Sequence, residues 1–327
     1  MMNILACASD SYAMQCGVLF LSICQNNQET PIRFFVLTDY VFQDINKVHL
    51  EDIIHRYNTD NSLHFITVDD VFVSDFQDVT SKFYPKQVMY RLLAADLLPN
   101  DIDRVLYLDC DIIVRHSLRD LWKTDLLHSS VACVPDALSG LVGIFNRLGY
   151  PQKYGYFNSG VLLINLQYWR EHKISQQFID FAKTTHVDIT LPDQDILNSV
   201  LHKSKTFIPL TFNFQSGFLY KIEYMKFDYY GNKDEIELAC SDPVILHLAG
   251  ERPWYKGSTH PYKDEFYKLK ELTPWKDEPL KSVSYGFSKD IRKRFRAFLT
   301  KMRILPSIVD PYNRDRRLSE RQTTYQT

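Results

Sequence analysis

A chain of 327 residues with 45% hydrophobic and 24% charged residues has the composition of a folded globular protein, which excludes the disordered and fibrous classes. It contains no apolar run of the roughly eighteen residues that a membrane-crossing helix requires. The formal net charge of −2 conceals an asymmetry, because from Lys281 onward twelve Lys/Arg face four Asp/Glu, a net of +8, which leaves −10 for residues 1–280. An acidic body argues against nucleic acid, and the basic tail points to a partner of its own.

The first residues, MMNILACASD, carry no basic region ahead of a long apolar stretch, so no secretory signal is expected. Asn3 to Ala8 reads as a strand ending in Ser9-Asp10, followed by a helical pattern through Cys16, Leu19, Phe20 and Ile23. Arg33 to Thr38 reads as a second strand, Asp44 to Tyr57 as a helix, and Leu63 to Val68 as a third strand. Lys86 to Leu98 has apolar residues at helical spacing and stops at Pro99; Arg104 to Leu108 is the fourth strand. Strands alternating with helices predict βαβ units and a mostly parallel sheet covered on both faces. Beyond Val131 the pattern is less regular, with a strand over Tyr156–Asn165 and a short helix over Gln194–Leu201. No Pro/Gly/Ser-rich linker separates the halves, so the second is expected to pack on the first. The six cysteines form no CxxC pair and sit mostly in apolar runs, as reduced buried thiols do.

In sheets of this kind ligands bind beyond the carboxyl ends of the strands. Two polar clusters fall there: Ser9-Asp10-Ser11 after the first strand and Asp109-Cys-Asp111 after the fourth. Neither GxGxxG nor GxxxxGK[ST] occurs, so there is no dinucleotide fingerprint and no P-loop. Asp109 and Asp111, two apart in extended chain, face the same way and can converge on one hard cation such as Mg²⁺, Mn²⁺ or Ca²⁺. Spacing alone is weak, since Asp101/Asp103 and Asp193/Asp195 share it. The first of those pairs lies in a polar turn and reads as solvated, whereas Asp109 and Asp111 end a strongly apolar strand. A phosphatase with a nucleophilic DxD would carry it after the first strand, where this chain has Ser9-Asp10.

Six blocks in order carry a resemblance over Asn3–Gly257: ACASDSYAMQCGV, VMYRLLAADLLP, RVLYLDCDIIV, YFNSGVLLINLQYWR, PDQDILN and HLAGERPW. In these the chain resembles the retaining glycosyltransferases of family 8, of the α/β GT-A fold, and within them the bacterial lipopolysaccharide and capsule enzymes, with glycogenin as a more distant relative. The resemblance implies a UDP-galactose or UDP-glucose donor and a Mn²⁺ ion, or Mg²⁺ in its place, held by Asp109, Asp111 and His247. Two carboxylates and an imidazole favour Mn²⁺ over the cations that prefer all-oxygen sites. By itself His247, after the apolar Val244-Ile-Leu, reads more readily as a core histidine, and the following Gly250 and Pro253-Trp254 reverse that reading.

The resemblance also assigns Ala8, Asp10 and Tyr12 to a uridine pocket, Arg91 to the donor sugar, and Asn158 and Ser159 to a sugar-facing turn. Asp193 and Gln194 match the pair beside the anomeric carbon, although Asp193 after Pro192 also reads as an acid at a helix start. Gly250 matches the donor-binding glycine of the His247 block. Two positions depart from the family pattern. Ser9 stands where a second acid is frequent, and Arg252 stands where Lys usually precedes Pro-Trp. Arginine can bind a diphosphate bidentately, and Lys256 is an alternative cation nearby. The implied reaction is retaining transfer of a hexose to a sugar hydroxyl of a bacterial surface glycan. Same-face attack through an oxocarbenium-like ion pair fits Gln194, a neutral amide, better than a double displacement does.

The expected organisation is a glycosyltransferase domain over 1–275 and a basic tail over 276–327. In the tail, Phe287, Ile291, Phe295, Phe298, Leu299 and Met302 follow helical spacing among many Lys and Arg. Such a segment suits an anionic membrane surface, and its alternative is a helix docked on the body. The expected location is the cytoplasm, peripheral on the inner face of the membrane. Acceptor choice is expected to lie in loops 139–155 and 214–234. A silent sugar-nucleotide-binding protein of the same fold is the alternative function; the presence of Asp109, Asp111, His247 and Gln194 argues against it.

Overall fold

The structure, a computed structural model, describes residues 1–77, 79, 85–137, 143–218, 233–250 and 252–282. The basic amphipathic pattern of the tail, residues 139–142 of the first acceptor loop and most of the second acceptor loop lie outside these residues.

Seven strands form the main sheet: β1 (Met2–Cys7), β2 (Ile32–Thr38), β3 (Ser62–Thr67), β4 (Arg104–Leu108), β6 (Val131–Pro135), β7 (Phe157–Asn165) and β8 (Lys205–Phe207). Their order is β3-β2-β1-β4-β7-β6-β8. All run parallel except β7, which is antiparallel to both neighbours. A small second sheet pairs β5 (Ile112–Val114), β10 (Ile245–His247) and β9 (Phe214–Gln215), with β10 in the middle. This is the α/β architecture anticipated from the strand–helix alternation.

The apolar strands serve two cores at once. In β1, β2 and β4, Ile4, Phe34 and Leu106 point into one, while Leu5, Phe35 and Tyr107 point into the other. A strand buried on both faces reads as a continuous apolar run, which is why these three are plain in the sequence. The first core is covered by helices α1 (Ala13–Asn26) and α2 (Asp44–Tyr57) together with helix Lys263–Lys270. The second is covered by helices Ile174–Thr184 and Pro192–Leu201 and by the Lys86–Leu97 segment.

Two differences from the sequence expectations bear on function. Lys86–Leu93 winds as a 3₁₀ helix before turning α-helical at Ala94–Leu97. The tighter turn stacks Arg91 over Val88, whose carbonyl accepts from Arg91 Nε at 3.0 Å, and six of its eight residues are buried. The helix expected from Gln194 begins instead at Pro192, a residue suited to the first helical position, so Asp193 lies within its first turn.

Direction of travel places the site. Because β7 runs against β4, its first residues lie beside the last residues of β4, and the Asp109 amide donates to the Gly160 carbonyl at 2.9 Å. Strand β10 lies antiparallel to β5, pairing His247 with Ile112, and the Leu248 amide donates to the Asp111 carbonyl at 2.8 Å. Chain segments more than a hundred residues apart therefore meet at the carboxyl edge of the sheet. The expected boundary at residue 275 falls within packed chain: Trp275 is buried, and Lys281 forms a parallel bridge with Tyr255.

Candidate active site

Among the described residues, Asp109, Asp111 and His247 are the group that can hold a metal ion, with donor atoms all within 4.8 Å of one another. His247 Nε2 lies 3.2 Å from Asp111 Oδ1 and 4.0 Å from Asp109 Oδ2. The Asp109 and Asp111 side chains are 24% and 27% exposed, open to the cleft, whereas His247 at 5% is part of its wall. The fit to a cation extends beyond the ligands themselves. His247 Nδ1 meets Asn213 Oδ1 at 3.0 Å, an acceptor that keeps the proton on Nδ1 and turns a lone pair on Nε2 toward the carboxylates. Asn213 Oδ1 is set in turn by its amide, which donates to Asn158 Oδ1 at 2.9 Å. At Gly160 a Cβ would stand 2.3 Å from His247 Cε1 and 2.9 Å from Asp109 Oδ2, so only glycine lets these two side chains approach.

Charge in the cluster is mutually arranged. Burial raises the Asp109 carboxyl and the like charge of Asp111 adds to this, against the pull of Arg91. Burial also opposes ionisation of Asp111, but with no cation bound the protonated His247 imidazolium, as charge and donor, together with a backbone hydrogen bond and Arg252, holds that carboxyl below its ordinary value. His247 moves the other way: burial lowers it, the two aspartates outweigh burial, and it is raised.

Arg91 is the structural surprise. Its helical context suggests a surface residue, yet its side chain is 5% exposed, lies 4.3 Å from the Tyr107 ring centre, and sits between two carboxylates. It pairs with Asp109 at 2.9 Å and with Asp193 at 3.3 Å, and donates to the Ser159 carbonyl at 3.0 Å. Burial alone would lower its proton affinity; Asp109, Tyr107 and Asp193 more than compensate and raise it well above the ordinary value. The Tyr107 hydroxyl completes this layer by donating to Asp109 Oδ1.

The PDQD block divides its acids. Asp195 accepts from the backbone amides of Thr190 and Leu191 at 2.8 and 3.0 Å, the reach-back contact of a capping residue, and Arg147 forks onto it at 2.8 and 3.0 Å. Asp195 thus takes the helix-start role considered for Asp193. That leaves Asp193 facing Arg91, with Oδ2 buried and without an aligned hydrogen-bond donor. Gln194 Oε1 accepts from the Ser159 amide at 2.9 Å and from Asn158 Nδ2 at 3.3 Å, while its Nε2 donates to Asp136 Oδ2 at 3.1 Å. Asn158 Nδ2 also donates to Asp136 at 3.0 Å. Asp136, Asn213 and Tyr107 are absent from the sequence-derived set. Only Asp136 had a usable signal, since it follows the apolar Val131–Pro135 strand as Asp109 follows β4.

The nucleotide side is built from the turn after β1 and the block after β10. Ala8 is buried, and the Tyr12 ring packs edge-on against Trp254 at 6.1 Å. Burial pushes the Tyr12 hydroxyl up to about 12, with Arg252 opposing and Asp111 adding to the rise, so the ring shares one neighbourhood with both. Gly250 has φ +101°, a backbone conformation that suits glycine. Lys256 is exposed, and its backbone amide donates to Lys281. Asp10 stands apart from the cluster: its carboxylate accepts from the Gln43 amide at 2.8 Å, from Gln43 Nε2 at 3.1 Å and from Asn46 Nδ2 at 2.7 Å, fastening the turn to the start of α2.

The profile of Glycosyl transferase family 8 matches residues 3–257. The chain belongs to that family. General stress protein A of Bacillus subtilis is 30% identical over 84% of this chain and 94% of its own length. A lipopolysaccharide 1,2-glucosyltransferase of Escherichia coli is 27% identical, covering 84% of this chain and 79% of the enzyme. Among solved structures, galactosyltransferase LgtC in complex with donor and acceptor sugar analogues superposes with a TM-score of 0.71 at 26% identity, covering 84% of this chain and 96% of LgtC. The sheet is therefore a GT-A fold, and its carboxyl edge carries the family 8 blocks read from the sequence.

Replacing Asn213 by Leu should leave the fold intact and lower divalent-cation affinity about 10- to 100-fold, since His247 loses the partner that fixes its tautomer. Titration of Mn²⁺ into wild type and variant measures this; equal affinities would show that Asn213 does not set the site.

Proposed function

We propose that this family 8 glycosyltransferase is a retaining, Mn²⁺-dependent hexosyltransferase. It moves galactose or glucose from UDP to a sugar hydroxyl of a bacterial surface glycan such as lipopolysaccharide. The observation that carries the reading is the convergence of Asp109, Asp111 and His247 with the Arg91–Asp193 pair and Gln194 on one edge of the sheet. The E. coli glucosyltransferase and LgtC, each similar over 84% of the chain, support the donor class and the glycan acceptor.

Two carboxylates and one neutral imidazole suit Mn²⁺, with Mg²⁺ as a substitute. Bound there, the cation would supply Lewis-acid neutralisation of the donor's diphosphate. The remaining work falls to the chain's own residues. Arg252, near Asp111 and Tyr12, binds the departing diphosphate as a charge-assisted donor, with Lys256 in reserve. Ala8 and Tyr12 hold the uridine, with Asp10 bracing their turn, and Gly250 lets the backbone of the His247 block approach the diphosphate. Asn158 and Ser159 face the hexose. Asp193, paired through Oδ2 with Arg91, offers its other carboxylate oxygen to a sugar hydroxyl.

For a retaining reaction, the partners already held by the nearby acids favour same-face attack over a double displacement. Asp193 is ion-paired with Arg91, and Asp136 accepts from Asn158 and Gln194, so neither is a free nucleophile. Gln194 is neutral and its oxygen is held by Ser159 and Asn158. Attack from the face that UDP leaves, with a phosphate oxygen taking the acceptor's proton and Gln194 orienting the sugar, matches these constraints.

No helix among the described residues is long and apolar enough to cross a membrane. A peripheral position on the inner face of the cytoplasmic membrane, held by the basic segment beyond residue 282, fits the charge asymmetry.

Incubated with a panel of UDP-sugars and no acceptor, the protein should release UDP slowly from one hexose donor with Mn²⁺ and not with chelator. Failure to turn over any UDP-hexose, with or without an acceptor glycan, would contradict the reading. The full chain should sediment with anionic vesicles at low salt and a chain ending at Ser282 should not; equal sedimentation would remove the tail from the account.

A further inference from the structure

The family profile ends at residue 257, yet the chain that follows returns to the nucleotide side of the cleft. Helix Lys263–Lys270 packs over the first core, and the chain after it is fastened at successive points. Arg56 donates to the Leu272 carbonyl at 2.8 Å, and Lys270 Nζ donates to the Lys276 carbonyl at 2.7 Å. Trp275 Nε1 donates to Asn46 Oδ1 at 3.1 Å, and the same Asn46 holds Asp10. Residue 281 then inserts beside the Arg252–Lys256 block: its amide donates to the Trp254 carbonyl at 3.1 Å and its carbonyl accepts from the Lys256 amide at 2.9 Å. From that anchored backbone the Lys281 ammonium reaches across to the turn after β1. It donates to the Ser11 carbonyl at 2.6 Å and lies 5.9 Å from the centre of the Tyr12 ring.

These contacts join two loops that otherwise touch through the Tyr12–Trp254 ring pair. We propose that Lys281 is a positioning residue of the nucleotide site. Its ammonium clasps the Ser9–Tyr12 turn to the Trp254–Lys256 strip, so that residues 275–281, outside the matched family region, complete the wall that receives a nucleoside diphosphate. The inference rests on the donor-binding reading of that turn. The clasp joins a carbonyl and an aromatic face on one loop to backbone hydrogen bonds on the other, so one side chain fixes the separation of the two walls. Asp10 and Trp275 both meet Asn46, which fastens the same turn to α2, and Lys281 adds the direct link from the turn to the Trp254–Lys256 strip. Residues 276–282 accordingly belong with the catalytic body, and a truncation meant to remove only the tail has to spare them.

The test uses the full chain with Lys281→Ala and Lys281→Arg. Since Lys281 is solvent-exposed, the expected effect is modest: Lys281→Ala weakens UDP binding in Mn²⁺ about three- to tenfold and leaves Mn²⁺ binding without nucleotide unchanged. Hydrogen exchange across residues 8–14 of the unliganded protein rises in Lys281→Ala. Lys281→Arg, which can still donate to Ser11 and lie over Tyr12, restores both readouts. Unchanged exchange in Lys281→Ala overturns the clasp. Raised exchange with unchanged UDP affinity overturns its part in nucleotide binding. If wild type itself binds no UDP, the donor reading fails, and the nucleotide role of Lys281 fails with it, while the exchange result still reports on the clasp.

Discussion

Several carboxylates gathered at the end of an apolar sheet are stable only if positive charge is held within the same wall, and Arg91 supplies it. Removing one partner of such a buried pair costs about 3–5 kcal/mol because the other charge is left uncompensated. The Arg91 guanidinium serves Asp109 and Asp193 together and rests on the Tyr107 ring. Its position depends on the 3₁₀ winding of Lys86–Leu93, on β4 for Tyr107 and Asp109, and on the helix starting at Pro192 for Asp193. One interaction thus ties the candidate cation site to the candidate sugar site.

A second connection runs through neutral amides. From His247 the chain of contacts passes through Asn213 and Asn158 to Asp136 and Gln194. Each amide donates on one side and accepts on the other, so the orientation of His247 and that of Gln194 are set by a common network. Such a network favours preorganisation: the groups facing developing charge are already aimed and need not reorganise when a donor arrives. The antiparallel β7 is what makes this possible, since it carries Asn158, Ser159 and Gly160 to the edge where the parallel strands end.

Much of this was legible in the sequence wherever the signal was local. Double-sided burial made β1, β2 and β4 continuous apolar runs, and the carboxylates ending RVLYLDCDIIV stood out against that background. His247, Asp193 and Gln194 were reached through their blocks. What escaped were pairings between distant segments. Arg91 was assigned to the donor sugar only through its block, since its local helical context reads as surface and its partners Asp109 and Asp193 lie far along the chain. Asp10 was assigned to the uridine pocket through its block, and its bonds to Gln43 and Asn46 had no sequence signal. The identical spacing of Asp193 and Asp195 concealed different tasks, one facing Arg91 and the other satisfying amides at the helix start. Asn213 alternates with the apolar Leu210, Phe212 and Phe214, and nothing local marks its amide as the partner of a histidine 34 residues further on.

On the proposed reading, Asp109 and Asp111 stand at the sheet edge to hold a cation and, through it, a diphosphate. Electron paramagnetic resonance of Mn²⁺ titrated into the protein with and without UDP addresses that reading most directly. One bound ion per chain is expected, held more tightly when UDP is present, with that enhancement lost in Asp111→Asn. Mn²⁺ binding that ignores UDP, or that survives Asp111→Asn unchanged, would contradict it.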